Sequence, residues 1–177
     1  MDELDAPRPK RRGWLYITLT ALGLLCVVWL YILFFYHPES LIDELSDKTF
    51  PTEAEKICAA SRVTLDELPF ASLAKTADER ADNLAESNVV LREMIADLRP
   101  IAPKTPADES EAVNEWLDDW SVYIGNREQY VDNLHKDPKA RFLESPKGDG
   151  TKGITRAIDG FAQVNRMNSC TTLMDVS

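Results

Sequence analysis

Much of this chain repeats apolar residues at helical spacing, most clearly from Ala77 to Leu98. Apolar positions recur there at alternating steps of four and three residues, which puts them on one helix face: Ala77, Ala81, Leu84, Leu91, Ile95 and Leu98, with Asn88 inside the same row. Thr76 and Glu79 form a capping box, in which a hydroxyl and a carboxylate satisfy free backbone donors. The pattern predicts a long amphipathic helix that ends before Pro100.

Three further helices are predicted, one before this helix and two after it. The first starts at a capping box of Thr52 and Glu55, the next runs from Pro106 to about Lys136, and the last covers residues 155–165. The apolar stripe of the long one reads Val113, Trp116, Leu117, Trp120, Ile124, Val131 and Leu134. Short proline-rich connections favour antiparallel neighbours. We therefore predict a mainly α, three- or four-helix antiparallel bundle, with a small hairpin or loop at 139–153.

The N-terminal part has a different pattern, because residues 14–36 are 23 consecutive positions without a charge. Such a run would extend about 34 Å as a helix, against a hydrocarbon core of about 30 Å. Four basic residues precede it: Arg8, Lys10, Arg11 and Arg12. Basic residues beside a span mark its cytoplasmic side. We therefore predict a transmembrane helix over 14–36 and a cytoplasmic basic tail over 1–13.

This topology predicts a single-pass protein of the plasma membrane, with a cytoplasmic N-terminus and an extracytoplasmic C-terminal domain. A cleaved signal peptide is the alternative, but its apolar region would be shorter and followed by small residues, whereas this run leaves through Phe34, Phe35 and Tyr36. The predicted divisions are a juxtamembrane segment (37–51), the bundle (52–170) and a flexible C-terminus (171–177).

The charge of the chain limits its partners. Residues 37–177 carry 16 basic and 27 acidic side chains, a net charge of −11. An acidic surface argues against nucleic acid, whose phosphates need basic partners. The expected partners are the lipid bilayer, through the basic tail, and another envelope or membrane protein.

The three cysteines divide in the same way. Cys26 lies inside the apolar run, where a thiol behaves as a small hydrophobe. Cys58 and Cys170 both fall in the portion predicted to be exported, where disulfides persist. Their simplest interpretation is one intramolecular disulfide; two free thiols, or one intermolecular bridge, remain alternatives. No C-x-x-C or Cys/His spacing suggests a metal site.

One aromatic and acidic cluster could carry chemistry. Trp116 and Trp120 stand one helical turn apart and flank Asp118 and Asp119, and aromatic rings with paired carboxylates are found in proteins that act on sugars. Adjacent helical positions point about 100° apart, however, so the two carboxylates cannot converge on one bond. We predict core tryptophans and solvated aspartates.

The other polar candidates also favour structural roles. His37 is placed at the membrane exit, and His135 with Lys136 ends a helix, where positive charge meets the carbonyl end of the dipole. Asp149 lies in a turn without the alternating oxygen ligands of a calcium loop. Asn88 is expected to fix helix register. No catalytic residue, metal ligand or cofactor is predicted, and the ligand-binding residues are unknown.

Three segments together resemble a known group of proteins. These are Lys56-Ile-Cys-Ala-Ala-Ser61, the Trp116-x-x-Asp-Trp120 motif and Asn165-Arg-Met-Asn-Ser-Cys170, which follow a basic tail and a single apolar run. The chain is similar in this respect to uncharacterised single-pass membrane proteins of actinobacteria. The resemblance implies a plasma membrane location and a domain facing the cell wall, and it implies no activity.

Taken together, these patterns predict a non-enzymatic, membrane-anchored interaction or accessory module. A sensory or small-ligand-binding bundle is the alternative, with Asn88 as a polar contact. A glycan-directed enzyme or lectin is a third possibility, which requires Trp116 or Trp120 at the surface.

Overall fold

The computed structural model describes residues 11–35, 44–148, 150 and 152–176, and within the first helix it describes the side chains of residues 16–30. The chain divides into two units, Met1–Leu41 and Ile42–Ser177. Over the described residues it is mainly helical, with five α-helices and one two-stranded sheet. The prediction of a mainly α chain is therefore confirmed.

The first unit contains helix α1, Arg11–Phe35. Its described side chains are all exposed, and the Thr20 hydroxyl donates to the carbonyl oxygen of Tyr16 at 2.8 Å. Serine and threonine commonly bond back to their own helix in this way.

None of the helices, in the residues that are described, has the combination of length and apolar character needed to cross a membrane. The predicted plasma membrane localisation, with its cytoplasmic N-terminus and extracytoplasmic domain, is therefore wrong. Arg8 and Lys10 lie outside the described residues, and Arg11 and Arg12 fall within α1 rather than before it.

The second unit contains the remaining elements. They are α2 (Thr49–Glu67), α3 (Ala77–Leu98), α4 (Ala107–Leu134), β1 (Pro146–Lys147), β2 (Lys152–Gly153) and α5 (Ile154–Val164). Short 3₁₀ turns cover Ala71–Leu73, Arg99–Ile101 and Asn168–Cys170. Helices α3 and α4 run antiparallel, since Asp78 near the start of α3 contacts His135 after the end of α4, whereas Arg99 contacts Asp118. The short connection between the two helices requires this arrangement.

The predicted stripes of α3 and α4 are largely buried, and they form two apolar clusters. The larger cluster joins α2, the C-terminal half of α3, the first half of α4 and α5 around Trp116, Trp120 and Phe161. The smaller one joins the first half of α3 to the end of α4: Ala71, Ala81, Leu84, Tyr130 and Leu134. Burial of such stripes supplies most of the stability of a helical fold.

The two predicted capping boxes have different outcomes. Glu79 donates its backbone N–H to the Thr76 hydroxyl at 3.1 Å, and the Glu79 carboxylate accepts from the N–H of Lys75, so α3 is capped as expected. Helix α2, in contrast, begins at Thr49, before Thr52, and the Thr52 hydroxyl donates back to a carbonyl oxygen. A hydroxyl and a carboxylate three residues apart are therefore compatible with a helix interior as well as with a start.

The region 139–153 contains a small hairpin. Pro146 pairs with Gly153 and Lys147 with Lys152 in antiparallel register. Gly148 and Gly150 have positive φ angles of 62° and 80°, which glycine adopts without the steric cost of a side chain. The sequence prediction of a hairpin or loop here resolves to a hairpin.

Both ends of the second unit extend past the predicted limits of 52–170. Leu45 and Phe50 are buried in the larger cluster, although both precede residue 52. The backbone N–H of Leu45 donates to the side chain of Asn165 at 2.9 Å. At the other end, residues 171–175 accept hydrogen bonds from, or donate them to, side chains of α2, α4 and α5.

Candidate functional site

A groove of about 260 Å³ lies between the end of α2, the turn that follows it, α3 and the chain after α5. Its apolar walls include Leu65, Leu68, Phe70 and Leu173, and its polar walls include Ser87 and Asp175. We call residues Thr171–Val176 the closing segment, because they form one side of this groove. Concave sites with mixed walls of this kind are the usual places for ligands.

Arg62 of α2 attaches the chain before and within the closing segment. Its Nε donates to the carbonyl oxygen of Ser169 at 2.9 Å, and its guanidinium also contacts the carbonyl oxygen of Thr171. Burial lowers the pKa of Arg62, while nearby acidic groups, with Asp66 foremost, act in the opposite direction. The bonds to these two carbonyl oxygens supply partners for a half-buried guanidinium.

Two further helices hold the same segment. The Asp159 carboxylate of α5 accepts the backbone N–H of Thr172 at 2.7 Å, and the Tyr123 hydroxyl of α4 donates to the carbonyl oxygen of Leu173 at 3.1 Å. The closing segment has no regular secondary structure, so these side chains supply partners for its backbone groups.

Arg127 lies behind the groove and is fully buried, with a relative exposure of 0%. Its Nη2 donates to Asp175 Oδ2 at 2.9 Å and to Ser87 Oγ at 2.6 Å. Its Nε donates to Asn88 Oδ1 at 2.6 Å, and its Nη1 lies 3.3 Å from the Tyr123 hydroxyl. A planar guanidinium that meets both carboxylate oxygens forms a strong, directional pair.

The electrostatics keep this arginine charged. Burial alone would lower the pKa of Arg127, but the hydrogen bonds and charge of Asp175, with a contribution from Tyr123, raise it overall. Burial also raises the pKa of the Tyr123 phenol, partly offset by Arg127. The site is thus a buried cation, Arg127, paired with the carboxylate of Asp175 in the closing segment. Removing the carboxylate would leave a buried charge without a partner, which is costly.

One donor in this cluster is unused. Asn88 is 1% exposed, and its Nδ2 has no hydrogen-bond partner within the described part of the chain. Buried side-chain donors almost always have a partner, so the exception marks a position where an acceptor would fit.

The disulfide predicted from the sequence lies beside this region. The sulfur atoms of Cys58 and Cys170 are 2.07 Å apart, the distance of a disulfide bond. Both residues are fully buried in the larger apolar cluster, and Cys170 directly precedes the closing segment. Cys26 is free and exposed.

The aromatic and acidic cluster separates into unrelated contacts. Trp116 and Trp120 are 2% and 1% exposed, and the Trp116 indole donates to the carbonyl oxygen of Ile158 at 3.1 Å. Asp118 pairs with Arg99 at 2.8 Å, whereas Asp119 faces the hairpin. A glycan-directed site needed an exposed ring, and neither tryptophan supplies one.

Asp119 belongs to a second charged cluster. Lys147 of β1 contacts Asp119 Oδ1 at 2.6 Å and Glu115 Oε1 at 2.7 Å. Burial raises the pKa of Asp119, and the hydrogen bond and charge of Lys147 offset part of that rise. The three side chains attach the hairpin to α4, and their geometry is that of a structural ion pair.

The remaining polar candidates are placed as follows. His135 Nδ1 lies 3.3 Å from Asp78 at an exposed position between α3 and α4. His37 and Asp149 lie outside the described residues. Over those residues, no three histidine, cysteine or acidic side chains are grouped as a metal site would require.

The position of Arg127 in the sequence indicated burial, although its charge suggested a surface residue. Arg127 lies seven residues after Trp120, within the buried stripe of α4, and a charged residue in a core position requires a buried partner. No periodicity indicated that Asp175 would be the partner, because the two are 48 residues apart and Asp175 is outside any helix.

The site and the fold do not assign the chain to a known group, since neither protein-family models, curated proteins nor solved structures match it. The resemblance to actinobacterial membrane proteins stays a sequence prediction.

Proposed function

We propose that the second unit is a non-enzymatic binding module whose groove holds a segment of a partner protein. The observation that carries this proposal is a group of exposed large apolar side chains: Phe70 and Met174 line the groove, and Leu73 ends the short turn whose Ala71 and Ser72 also line it. Phe70 is 54% exposed, Leu73 76% and Met174 93%. Apolar side chains grouped at a concave surface are typical of binding sites, whereas single ones are ordinary.

The expected partner segment carries both apolar and basic side chains. Asp66 lines the groove and is exposed, and the whole chain has a formal net charge of −10. Complementary charge increases the rate of association and excludes acidic partners. The apolar side chains of the partner would cover Phe70 and Leu73, and a lysine or arginine would meet Asp66.

A random peptide library selected against the immobilised full chain tests this proposal. The enriched peptides should combine an aromatic or branched apolar residue with lysine or arginine. The double variant Phe70→Ser/Leu73→Ser should weaken the best peptide by at least tenfold in calorimetry, because burying one large apolar side chain contributes about 1.5–3 kcal/mol.

Leu143 provides a matched control. It is 73% exposed, close to the value for Leu73, but it borders a different depression, beside Asn133 and Lys136. Leu143→Ser should leave the peptide affinity unchanged, and Asp66→Asn should weaken it and reduce its salt dependence. Equal affinity for the Phe70→Ser/Leu73→Ser variant and the original chain would refute the proposed surface.

A second candidate function is a bundle that binds a small molecule. It is favoured by the unused donor of Asn88, which lies next to Arg127 and close to the groove wall at Ser87.

The disulfide, under either function, supports folding in an oxidising compartment.

A further inference from the structure

We infer that Arg127 and Asn88 form a carboxylate-binding site whose resident ligand is Asp175 of the same chain. A small carboxylic acid with an apolar chain would bind there when Asp175 leaves. This inference rests on the second candidate function; it shares the groove with the proposed peptide-binding surface, but it depends on Arg127 and Asn88 rather than on Leu73.

The first argument is the construction of the site. The guanidinium of Arg127 is fully buried and is held from three sides by Asn88, Ser87 and Tyr123. Among the described residues, Asp175 is the one carboxylate bonded to it. A cation fixed in this way selects for a planar anion with two oxygens, because the orientation of the guanidinium is set before a ligand arrives.

The second argument is the position of the resident carboxylate. Asp175 is carried by the closing segment rather than by a helix, and its side chain is 17% exposed. Asp175 and Ser87 both line the groove, and both are bonded to Arg127. Movement of Asp175 away from the groove would therefore open the guanidinium to a ligand in the same groove.

The third argument is the incomplete fit of Asp175. Its two oxygens bond to Arg127, yet the Nδ2 of Asn88, whose Oδ1 accepts from the same guanidinium, has no acceptor within the described chain. A carboxylate that is not tethered to the backbone can place one oxygen between Arg127 and Asn88. Such a ligand would satisfy a buried donor that the resident ligand leaves unsatisfied.

The walls of the groove indicate what the acid carries. Leu65, Leu68, Phe70 and Leu173 line the same groove as Asp175. An unbranched aliphatic chain attached to the carboxylate would follow these side chains and leave water. The ligand class is therefore a short aliphatic carboxylic acid rather than an inorganic anion.

Chemical rescue tests this inference with the full chain. Asp175→Ala removes the counter-charge of a buried cation and should lower the melting temperature by roughly 10 °C. Acetate, butyrate and hexanoate, titrated in a carboxylate-free buffer, should restore it in a saturable manner. Each buried methylene should tighten binding by about fourfold, so hexanoate should bind roughly fifteenfold more tightly than butyrate.

Three controls make the result specific. Chloride at equal ionic strength should not restore stability, nor should hexanoate restore the double variant Asp175→Ala/Arg127→Met. Leu98→Ala, a core change distant from the guanidinium, should show no rescue either, which excludes general stabilisation by the acid. If Asp175→Ala does not fold, Asp175→Asn, which keeps the side-chain volume, is titrated in the same way.

The outcomes separate this inference from the proposed function. Rescue that survives the loss of Arg127, or carboxylates that act no better than chloride, would overturn the carboxylate site and leave the peptide surface intact. Rescue by a peptide with the sequence of residues 171–177, without rescue by hexanoate, would overturn the small acid as ligand. Peptide binding that fails at Phe70 and Leu73 overturns only the proposed function.

Discussion

Both halves of helix α4 bury apolar side chains, but the second half also carries polar side chains that bond to the closing segment. The first half contributes Val113, Trp116, Leu117 and Trp120 to the larger apolar cluster. The second half contributes Tyr123 and Arg127, whose polar atoms bond to α3 and to the closing segment. One helix therefore joins an apolar core to a buried polar network.

This difference has consequences for specificity. Apolar packing tolerates substitutions that conserve volume, and rings such as Trp116 and Phe161, stacked with centroids 5.3 Å apart, contribute mainly through buried area. The network of Arg127 instead requires particular partners at particular distances, and losing one leaves a charge unpaired. Both halves stabilise the fold through buried apolar side chains, and the second half also fixes where the closing segment lies.

The largest expected effect comes from the apolar half. Trp116→Ala removes a ring that stacks on Phe161 and meets Phe50 edge-on at 6.3 Å. The free energy of unfolding should fall by about 4 kcal/mol, because a cavity replaces a fully buried aromatic side chain. Urea denaturation measures the change. Val122→Ala on the exposed face of α4 is the control and should stay within about 0.5 kcal/mol; a loss below 1 kcal/mol at Trp116 would contradict the packing described.

The next effect tests whether the polar half acts as a unit. Asp175→Ala should cost about 3 kcal/mol, at the lower end for a broken buried pair because Asp175 is partly exposed. Adding Arg127→Met should cost less than the sum of the single variants, with a coupling of about 1–3 kcal/mol. A double-mutant cycle from urea midpoints measures this coupling, and strict additivity would show that the pair does not interact.

The smallest effect concerns pH at the junction of α4 with the hairpin. Burial raises the pKa of Asp119, so the folded state binds a proton more tightly than the unfolded state. Its contribution is stabilising below the unfolded pKa, about 3.9, and is lost as the pH rises through the folded pKa. Asp119→Asn should flatten the pH dependence of the urea midpoint in the window just above that value.

Lys147→Met sharpens the same measurement. Lys147 lowers the pKa of Asp119 through its hydrogen bond and charge, so its removal should raise that pKa further and widen the window toward neutral pH. If Asp119→Asn leaves the pH dependence unchanged, another group accounts for it.

Local pattern predicted the helices well because burial of one face repeats with the helical period. The row from Ala81 to Leu98 is buried in α3, including Asn88, and the cap at Thr76 forms as predicted. The cap at Thr52 was placed wrongly, since α2 begins three residues earlier and the larger cluster needs Phe50. Tertiary packing can extend a helix beyond a local start signal.

The candidate site was harder to predict for a different reason. Asn88 was noticed as a polar residue in an apolar row, but its partner Arg127 was not. Most arginines are exposed to solvent, and the sequence alone does not distinguish a buried one. The groove needs α2, α3 and the closing segment together, and no single segment indicates it.

The sequence by itself determined the helical periods, the start of α3, the hairpin region and the candidate pair of cysteines, because these follow from neighbouring residues or from residue type. Only the tertiary structure decided that Asp175 meets Arg127, that Leu45 and Phe50 belong to the core, and that residues 171–176 close a groove. Contacts between residues far apart depend on how whole helices pack, and no local preference specifies them.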